Sequence, residues 1–209
     1  MKNFWKHLLI LFLYALLTGL LLYPLPGHLA TGLCEEQSGD PLLQIWAVQW
    51  NIHKLTTSLT DYFDANIFYP YPNTFAYHDH LFGLALLGLP IFLLTRNPIL
   101  TYNALLLLSF ILAAYGMYLL CREMTRSEAA ALLAGDIFGF LPYRFAHLAH
   151  LNLLSIHWLP FCLLFLTRYL LSKQDLRNFP EPHPRPLPER GGVTVFPLSF
   201  GEGAGVRFA

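Results

Sequence analysis

Charge is scarce in this sequence. Only 12% of its 209 residues are Asp, Glu, Lys or Arg, whereas soluble domains carry about 25%. The 13 basic and 13 acidic residues cancel, so the net charge gives no reason to expect a nucleic-acid partner. Cysteine is also rare. Cys34, Cys121 and Cys162 stand singly, and their spacing excludes the common zinc motifs and a disulfide framework.

Long hydrophobic runs take the place of charge. Hydrophobic residues make up 55% of the chain. Residues 8–23 are apolar apart from Thr18 and Gly19, and residues 99–121 contain only three polar side chains. Runs of about 20 apolar residues predict helices that cross a bilayer. The expected fold class is therefore an all-α integral membrane protein.

The runs predict about four transmembrane helices, at residues 8–25, 99–120, 128–143 and 151–171. Residues 81–95 are also apolar, but a helix of that length reaches only about 22 Å against a hydrocarbon core of about 30 Å. Pro90 weakens it further. We predict an interfacial or re-entrant helix there, with a short fifth span as the alternative.

Charge bias predicts the orientation. Lys2 and Lys6 precede the first span, whereas the loop at residues 27–80 holds six acidic residues against the single Lys54. Positive charge collects on the cytoplasmic side, so we expect a cytoplasmic N-terminus and a long first extracytoplasmic loop. Residues 144–150 then lie on the same side as that loop. The first span resembles a signal peptide only loosely, because its apolar stretch is long, and we expect a retained anchor.

The amino-acid composition changes near the C-terminus. Prolines alternate from Pro180 to Pro188 and Gly-rich sequence follows, so we expect residues 176–209 to be a disordered Pro/Gly-rich tail. The tail resembles the translated product of a palindromic intergenic repeat found in bacterial genomes, which would mean an interrupted reading frame. A genuine proline-rich tail is the alternative.

Candidate site residues fall in two stretches. Gly39-Asp40-Pro41 opens the first long loop, and residues 142–150 read PYRFAHLAH. In the second stretch, Arg144, His147 and His150 are three residues apart, which places them along one face if the stretch is helical. One carboxylate and three basic or ionisable groups would then lie on the same side of the membrane.

This ordered set resembles the bacterial GT-C superfamily of polytopic glycosyltransferases, which includes YfhO-like members. The resemblance covers about residues 1–175, which correspond to the N-terminal module of longer enzymes. It implies a bacterial inner-membrane, multi-pass protein that uses a polyprenyl-phosphate-linked sugar, with Asp40 as the catalytic residue of the first outer loop. A truncated, non-enzymatic membrane protein (a transporter fragment or lipid-binding subunit) and an inactive gene remnant are the alternatives.

Such a reaction has simple chemical needs. A base must take the proton of the acceptor hydroxyl as it attacks the anomeric carbon, and a carboxylate such as Asp40 suits that role. The departing lipid phosphate gains charge and needs fixed donors or cations. We expect Arg144, His147 and His150 to supply them. Asp40 could instead simply begin a turn, and Arg144 could snorkel to the interface.

Aromatic and histidine residues give weaker signals. Trp46 and Trp50 fit a sugar-stacking role or an interfacial aromatic belt. His78, Asp79 and His80 suggest a divalent metal, but at this spacing their side chains share a face only in a strand, so a polar surface loop is the favoured interpretation. Apart from this divalent metal, no cofactor is predicted.

Asp136 is the most unusual residue in the apolar segments. It lies near the middle of the predicted span at residues 128–143, where a charge costs about 2.5–3.5 kcal/mol on insertion scales. No cation lies near it in the sequence. Gly135 and Gly139 predict close helix packing on the same segment, and His157, inside the last span, is expected to be a helix-contact residue.

Overall fold

The computed structural model describes residues 2–34 and 39–170, with side chains from residue 4 onward. These residues form helices and connecting turns without any β-strand. Helix formation throughout satisfies the backbone hydrogen bonds that lipid cannot, and the predicted all-α fold class is confirmed. The helices are α1 Lys2–Leu21, α2 Gly39–Thr56, α3 Phe82–Thr95, α4 Pro98–Thr125, α5 Glu128–Gly139, α6 Pro142–Ala146, α7 Leu151–Leu154 and α8 Trp158–Leu170, with 3-10 turns at Leu25–Gly27 and Thr74–Tyr77.

Four segments of the described chain are long and apolar enough to cross a membrane. These segments are Phe4–Leu21, Pro98–Thr125, Glu128–Ala146 and Leu151–Leu170. Their bounds agree closely with the predicted spans. Helix α3 has 14 residues and is apolar but shorter than a span, as the sequence predicted. The predicted tail at residues 176–209 lies outside the described residues.

Local signals set the ends of α4 and α5. The Asn97 side chain caps α4 by accepting a hydrogen bond from the Leu100 backbone N–H at 2.9 Å, and Pro98 occupies the first turn. Both features are typical helix starts, because they satisfy or remove backbone donors that have no partner. Ser127 caps α5 in the same way, through the Ala130 N–H at 3.3 Å. Arg126, in left-handed backbone conformation, ends α4 and makes the turn into α5.

Helix α4 is the central element, since α1, α3, α5 and α8 all pack on it. Glycines permit the closest of these contacts. A Cβ atom added to Gly139 would lie 2.5 Å from the Ala114 Cβ, and one added to Gly116 would lie 3.0 Å from Pro160 Cγ. The close packing predicted for Gly135 and Gly139 is confirmed.

The bundle has two polar ends. At one end, the Tyr102 hydroxyl donates to the Ala149 carbonyl at 3.3 Å. At the other, Arg122 Nε contacts Glu128 Oε1 at 2.8 Å, and Lys6 Nζ reaches the same oxygen. Tyr102 and Arg122 are 20 residues apart on α4, which corresponds to about 30 Å of helix. That separation matches the hydrocarbon thickness of a bilayer.

Part of the predicted loop at residues 27–80 is helical. It contains the 18-residue α2, which the sequence analysis did not predict. Polar residues such as Gln44, Gln49 and Asn51 interrupt the apolar run. The sequence pattern therefore did not indicate this helix, which has one buried face. That face packs on α3, α4 and α7 through Ile45, Val48 and Ile52.

Candidate functional site

Asp40 lies in the first turn of α2. Its side chain is 55% exposed, and Oδ2 lies 3.1 Å from His150 Nε2, with the His150 side chain 38% exposed. A helix N-terminus favours a carboxylate, because the backbone N–H groups there have no helical partner. The structure therefore brings together two of the residues predicted for the site, at the end of the bundle marked by Tyr102.

Gln44 fixes this arrangement one helical turn further along α2. It is buried, and its Nε2 donates to the Ala149 carbonyl at 3.3 Å and to Asn152 Oδ1 at 3.1 Å. Its Oε1 accepts from the Asn152 backbone N–H at 3.2 Å. These three bonds enclose His150 between two anchored neighbours, so that the histidine is held opposite Asp40.

A second carboxylate belongs to the same network. Asn152 Nδ2 donates to Asp79 Oδ2 at 2.6 Å, which ties the end of the first long loop to α7. Asp79 and Asn152 also line an open cleft of about 470 Å³, whose other walls include Trp158 of α8 and Gly83 of α3. The Asp40–His150 pair and this cleft thus share the Gln44–Asn152 connection. The cleft combines a carboxylate, an amide and an indole, a set of groups that can bind a hydroxylated ligand.

Arg144 does not face this surface. Its side chain is fully buried, its Nη2 donates to Ser109 Oγ at 3.3 Å, and its guanidinium lies 4.3 Å from the centre of the Phe110 ring. Nε and Nη1 have no hydrogen-bond partner among the described residues. The burial of Arg144 corrects the alternative in which it snorkels to the interface, whereas its role in holding phosphate stays a prediction. Arg144 instead fastens the 142–150 segment to α4.

The predicted helical face of Arg144, His147 and His150 is also wrong in detail, because α6 ends at Ala146. The backbone of His147 is no longer helical. Its Nδ1 lies 2.8 Å from the Tyr143 carbonyl oxygen, and its ring stacks on the Tyr143 ring with 4.1 Å between the ring centres. The His147 and His150 rings nevertheless meet edge to face at 5.8 Å. His147 and His150 therefore lie together, and His150 also contacts Asp40.

Trp46 and Trp50 lie on α2 but are occupied by packing. Their rings stack at 6.2 Å, and each indole N–H is already bonded, to Asn66 Oδ1 at 3.1 Å and to the Tyr62 carbonyl at 2.9 Å respectively. These contacts hold residues 57–80 against α2. Sugar stacking on either ring stays a prediction, and it has to use the remaining exposed surface of partly buried rings.

The same loop holds a half-buried tyrosine, Tyr62. The Tyr62 hydroxyl donates to Asn51 Oδ1, and the Asn51 Nδ2 donates to the His80 carbonyl. Burial raises the pKa of Tyr62 above its ordinary value of 10.0, since the phenolate would be poorly hydrated there. Tyr62 is therefore a neutral donor that fixes the loop rather than a base.

His78, Asp79 and His80 point to different partners. The His78 ring contacts Trp46 edge to face at 6.5 Å, Asp79 bonds Asn152, and the His80 ring packs 5.1 Å from Phe75. Across residues 2–34 and 39–170, no group of three or more His, Cys, Asp or Glu side chains converges in a way that could hold a metal ion. The structure gives the possible divalent metal no set of ligands in this part of the chain.

His157 and Asp136 occupy opposite kinds of environment. The His157 side chain is buried, its ring lies 4.7 Å from the Trp158 ring, and neither of its nitrogens has a hydrogen-bond partner among the described residues. It is a contact residue inside the bundle, as the sequence predicted. Asp136, by contrast, is exposed on α5.

Searches with the chain against protein-family models, curated proteins and solved structures found no match. Sequence reasoning missed Gln44 and Asn152, the two amides that build the site. The one available signal was spacing, because Gln44 follows Asp40 by one helical turn and Asn152 follows His150 by two residues.

Proposed function

We propose that this chain is the membrane module of a GT-C-like glycosyltransferase, in which Asp40 accepts a proton from the sugar acceptor. The observation that carries the proposal is the 3.1 Å contact between Asp40 Oδ2 and His150 Nε2 at one polar end of the bundle. A carboxylate held by an imidazole at the membrane surface resembles the arrangement in many general-base sites. Its exposure leaves room for an acceptor hydroxyl.

In the proposed reaction, a hydroxyl oxygen of the acceptor attacks the anomeric carbon of the donor sugar. Asp40 takes the hydroxyl proton as the new glycosidic bond forms. The bond from the anomeric carbon to the phosphate oxygen breaks, and its electron pair leaves with the polyprenyl phosphate. His150 orients Asp40. His147, whose ring touches that of His150, stabilises the departing phosphate as an imidazolium, because the proton on its Nδ1 is already donated to the Tyr143 carbonyl.

The two polar ends of the bundle support a proposed location for the donor. We propose that the Lys6–Arg122–Glu128 end faces the cytoplasm of a bacterial inner membrane, as the bias of positive charge implies. The Asp40–His150 end then faces outward, where a polyprenyl chain can lie in the bilayer beside α8 and present its phosphate-linked sugar to the cleft at Asp79 and Asn152. The acceptor approaches from the aqueous side.

One observation favours a second function. The arginine predicted to hold phosphate is buried against Ser109 and Phe110. The accessible basic groups of the site are then histidines alone. Such a site suits binding of a neutral, hydroxylated headgroup better than stabilisation of a departing phosphate. The alternative is therefore a non-enzymatic lipid- or sugar-binding membrane subunit that uses the same cleft.

The decisive experiment compares Asp40→Asn with Asp61→Asn in membranes supplied with radiolabelled polyprenyl-phosphate sugar. Asp61 is exposed and has a positive φ of 53°, a conformation that asparagine tolerates, so it is a matched control. We expect Asp40→Asn to lower glycolipid labelling by about 10²–10⁴-fold, the usual contribution of a general base, and Asp61→Asn to leave it unchanged. Equal labelling by the two variants would refute the enzymatic proposal. Retained glycolipid binding without any transfer by the wild-type protein would favour the binding subunit.

A further inference from the structure

Helix α5 carries a carboxylate near the middle of a candidate membrane span. Asp136 lies eight residues after Glu128 in the candidate span Glu128–Ala146, or about 12 Å along a helix. Packing gives an independent measure of depth. Gly135 and Gly139 contact Ala114 of α4, which lies eight residues from Arg122 and twelve from Tyr102, roughly 12 and 18 Å from the two polar ends.

The rotation of α5 is fixed, so this carboxylate cannot turn inward. A Cβ atom on Gly135 would lie 2.1 Å from the Tyr14 hydroxyl oxygen and 2.8 Å from the Ala114 carbonyl, and one on Gly139 would lie 2.5 Å from the Ala114 Cβ. Only the glycine edge of the helix can approach α1 and α4 this closely. Asp136 therefore stays on the outer surface, together with Leu133 and Ile137, whose side chains are 60% and 56% exposed.

We call the surface formed by Leu133, Asp136 and Ile137 the Asp136 face. Apart from one carboxyl group it is apolar, as a lipid-facing surface should be. Within residues 2–34 and 39–170, the carboxyl has neither a hydrogen bond nor an ion pair. Arg144, the buried cation of the bundle, is held on Ser109 and Phe110 instead. Ionisable groups inside a membrane ordinarily pair with one another or line a polar interior, and this one does neither.

We propose that the Asp136 face is the docking surface for a transmembrane helix of another membrane protein that carries a Lys or Arg at mid-span. Charge complementarity selects this occupant. A cation opposite Asp136 would satisfy the one polar group of the face, while an apolar helix would pack on Leu133 and Ile137. A second copy of this chain is a poorer occupant, because a symmetric contact would place one Asp136 against another.

The proposal does not depend on the proposed enzymatic function, and its test needs no activity. The full chain, labelled with a donor fluorophore, is reconstituted in phosphatidylcholine vesicles. The probes are two acceptor-labelled synthetic Leu/Ala transmembrane helices that differ only at the central residue, Lys in one and Leu in the other. Energy transfer measures their association with the wild type, with Asp136→Asn and with the control Asp64→Asn, which makes the same substitution at an exposed loop position.

We expect the Lys helix to bind Asp136→Asn about tenfold more weakly than it binds the wild type or Asp64→Asn, within the range of polar interactions between membrane helices. The Leu helix should bind all three weakly and equally. A charge exchange guards against a misfolded variant, since Asp136→Lys should prefer a helix with a central Asp. Equal binding of the Lys helix to the wild type and Asp136→Asn would overturn the proposal. The proposal would also be overturned if copies of the protein showed energy transfer to one another and Asp136→Asn abolished it, because the occupant of the face would then be a second copy.

Discussion

Gln44 is the residue on which the geometry of the candidate site depends most. Its side-chain amide makes three hydrogen bonds to the Ala149–Asn152 segment, and the group is buried. Replacing it by leucine keeps the volume and the helix propensity but removes all three bonds. We therefore expect Gln44→Leu to loosen the segment that holds His150 against Asp40, without disturbing the rest of the bundle.

The magnitude follows from those bonds. Each is worth about 1 kcal/mol net, and the Asn152 backbone N–H, left without its acceptor, adds a penalty of about 1–3 kcal/mol. The Ala149 carbonyl keeps its bond from the Tyr102 hydroxyl, and the leucine returns part of the loss by burying apolar surface. A net destabilisation of about 2–3 kcal/mol is expected.

Gln49 provides a matched control on the same helix. Its buried Nε2 has no hydrogen-bond partner among the described residues, so Gln49→Leu removes an unsatisfied group and should be neutral or stabilising by up to about 1 kcal/mol. Unfolding of both variants by SDS in mixed micelles, followed by tryptophan fluorescence, measures the difference. Equal free energies of unfolding for Gln44→Leu and Gln49→Leu would refute the assignment of Gln44 as the anchor of the site.

Three further predictions concern the bundle, the loop and the topology. Gly135→Ala should destabilise the protein by about 1–3 kcal/mol through overpacking, because the added Cβ would meet the Tyr14 hydroxyl and the Ala114 carbonyl. Gly19→Ala should not destabilise it, since a Cβ there has nothing within 4 Å. Equal SDS unfolding midpoints for the two variants would contradict this prediction. Burial raises the pKa of Tyr62 in the folded state, so above pH 10 the folded state binds more protons than the unfolded state, and stability should fall as the pH rises past 10. Tyr62→Phe should lessen that fall. Identical alkaline unfolding curves for the wild type and Tyr62→Phe would argue against this prediction. In a cysteine-free background, an impermeant thiol reagent added outside should label Leu59→Cys but not Met124→Cys, both positions being exposed; labelling of both or of neither would contradict the two-ended bundle.

The spans were predictable because a bilayer imposes a simple length requirement on apolar runs. Helix α3 was likewise predictable as a short apolar element. Helix α2 was not, because only one of its faces is buried and Gln44 and Asn51 interrupt that face. Both polar side chains are buried, and each is satisfied by distant partners, Asn152 and His80, that local sequence cannot reveal.

The candidate site was predictable in part. Charge bias placed Asp40 and the 144–150 segment on one side of the membrane, and the contact between Asp40 and His150 agrees with that placement. The environment of Arg144 could not be read from its motif. It depends on Ser109 and Phe110, which lie a helix away in α4 and provide a hydroxyl acceptor and an aromatic face. Long-range packing therefore decides which of the motif's basic groups is accessible.

The most direct test of the account is a double-mutant cycle on sugar transfer with Asp40→Asn, His150→Gln and the double variant. Residues that act as one unit lose nearly all of their joint contribution when either is removed. The account predicts that the double variant transfers sugar to membrane glycolipid at a rate close to that of the slower single variant. A double variant whose loss equals the product of the two single losses would show that Asp40 and His150 act independently, and it would contradict the account.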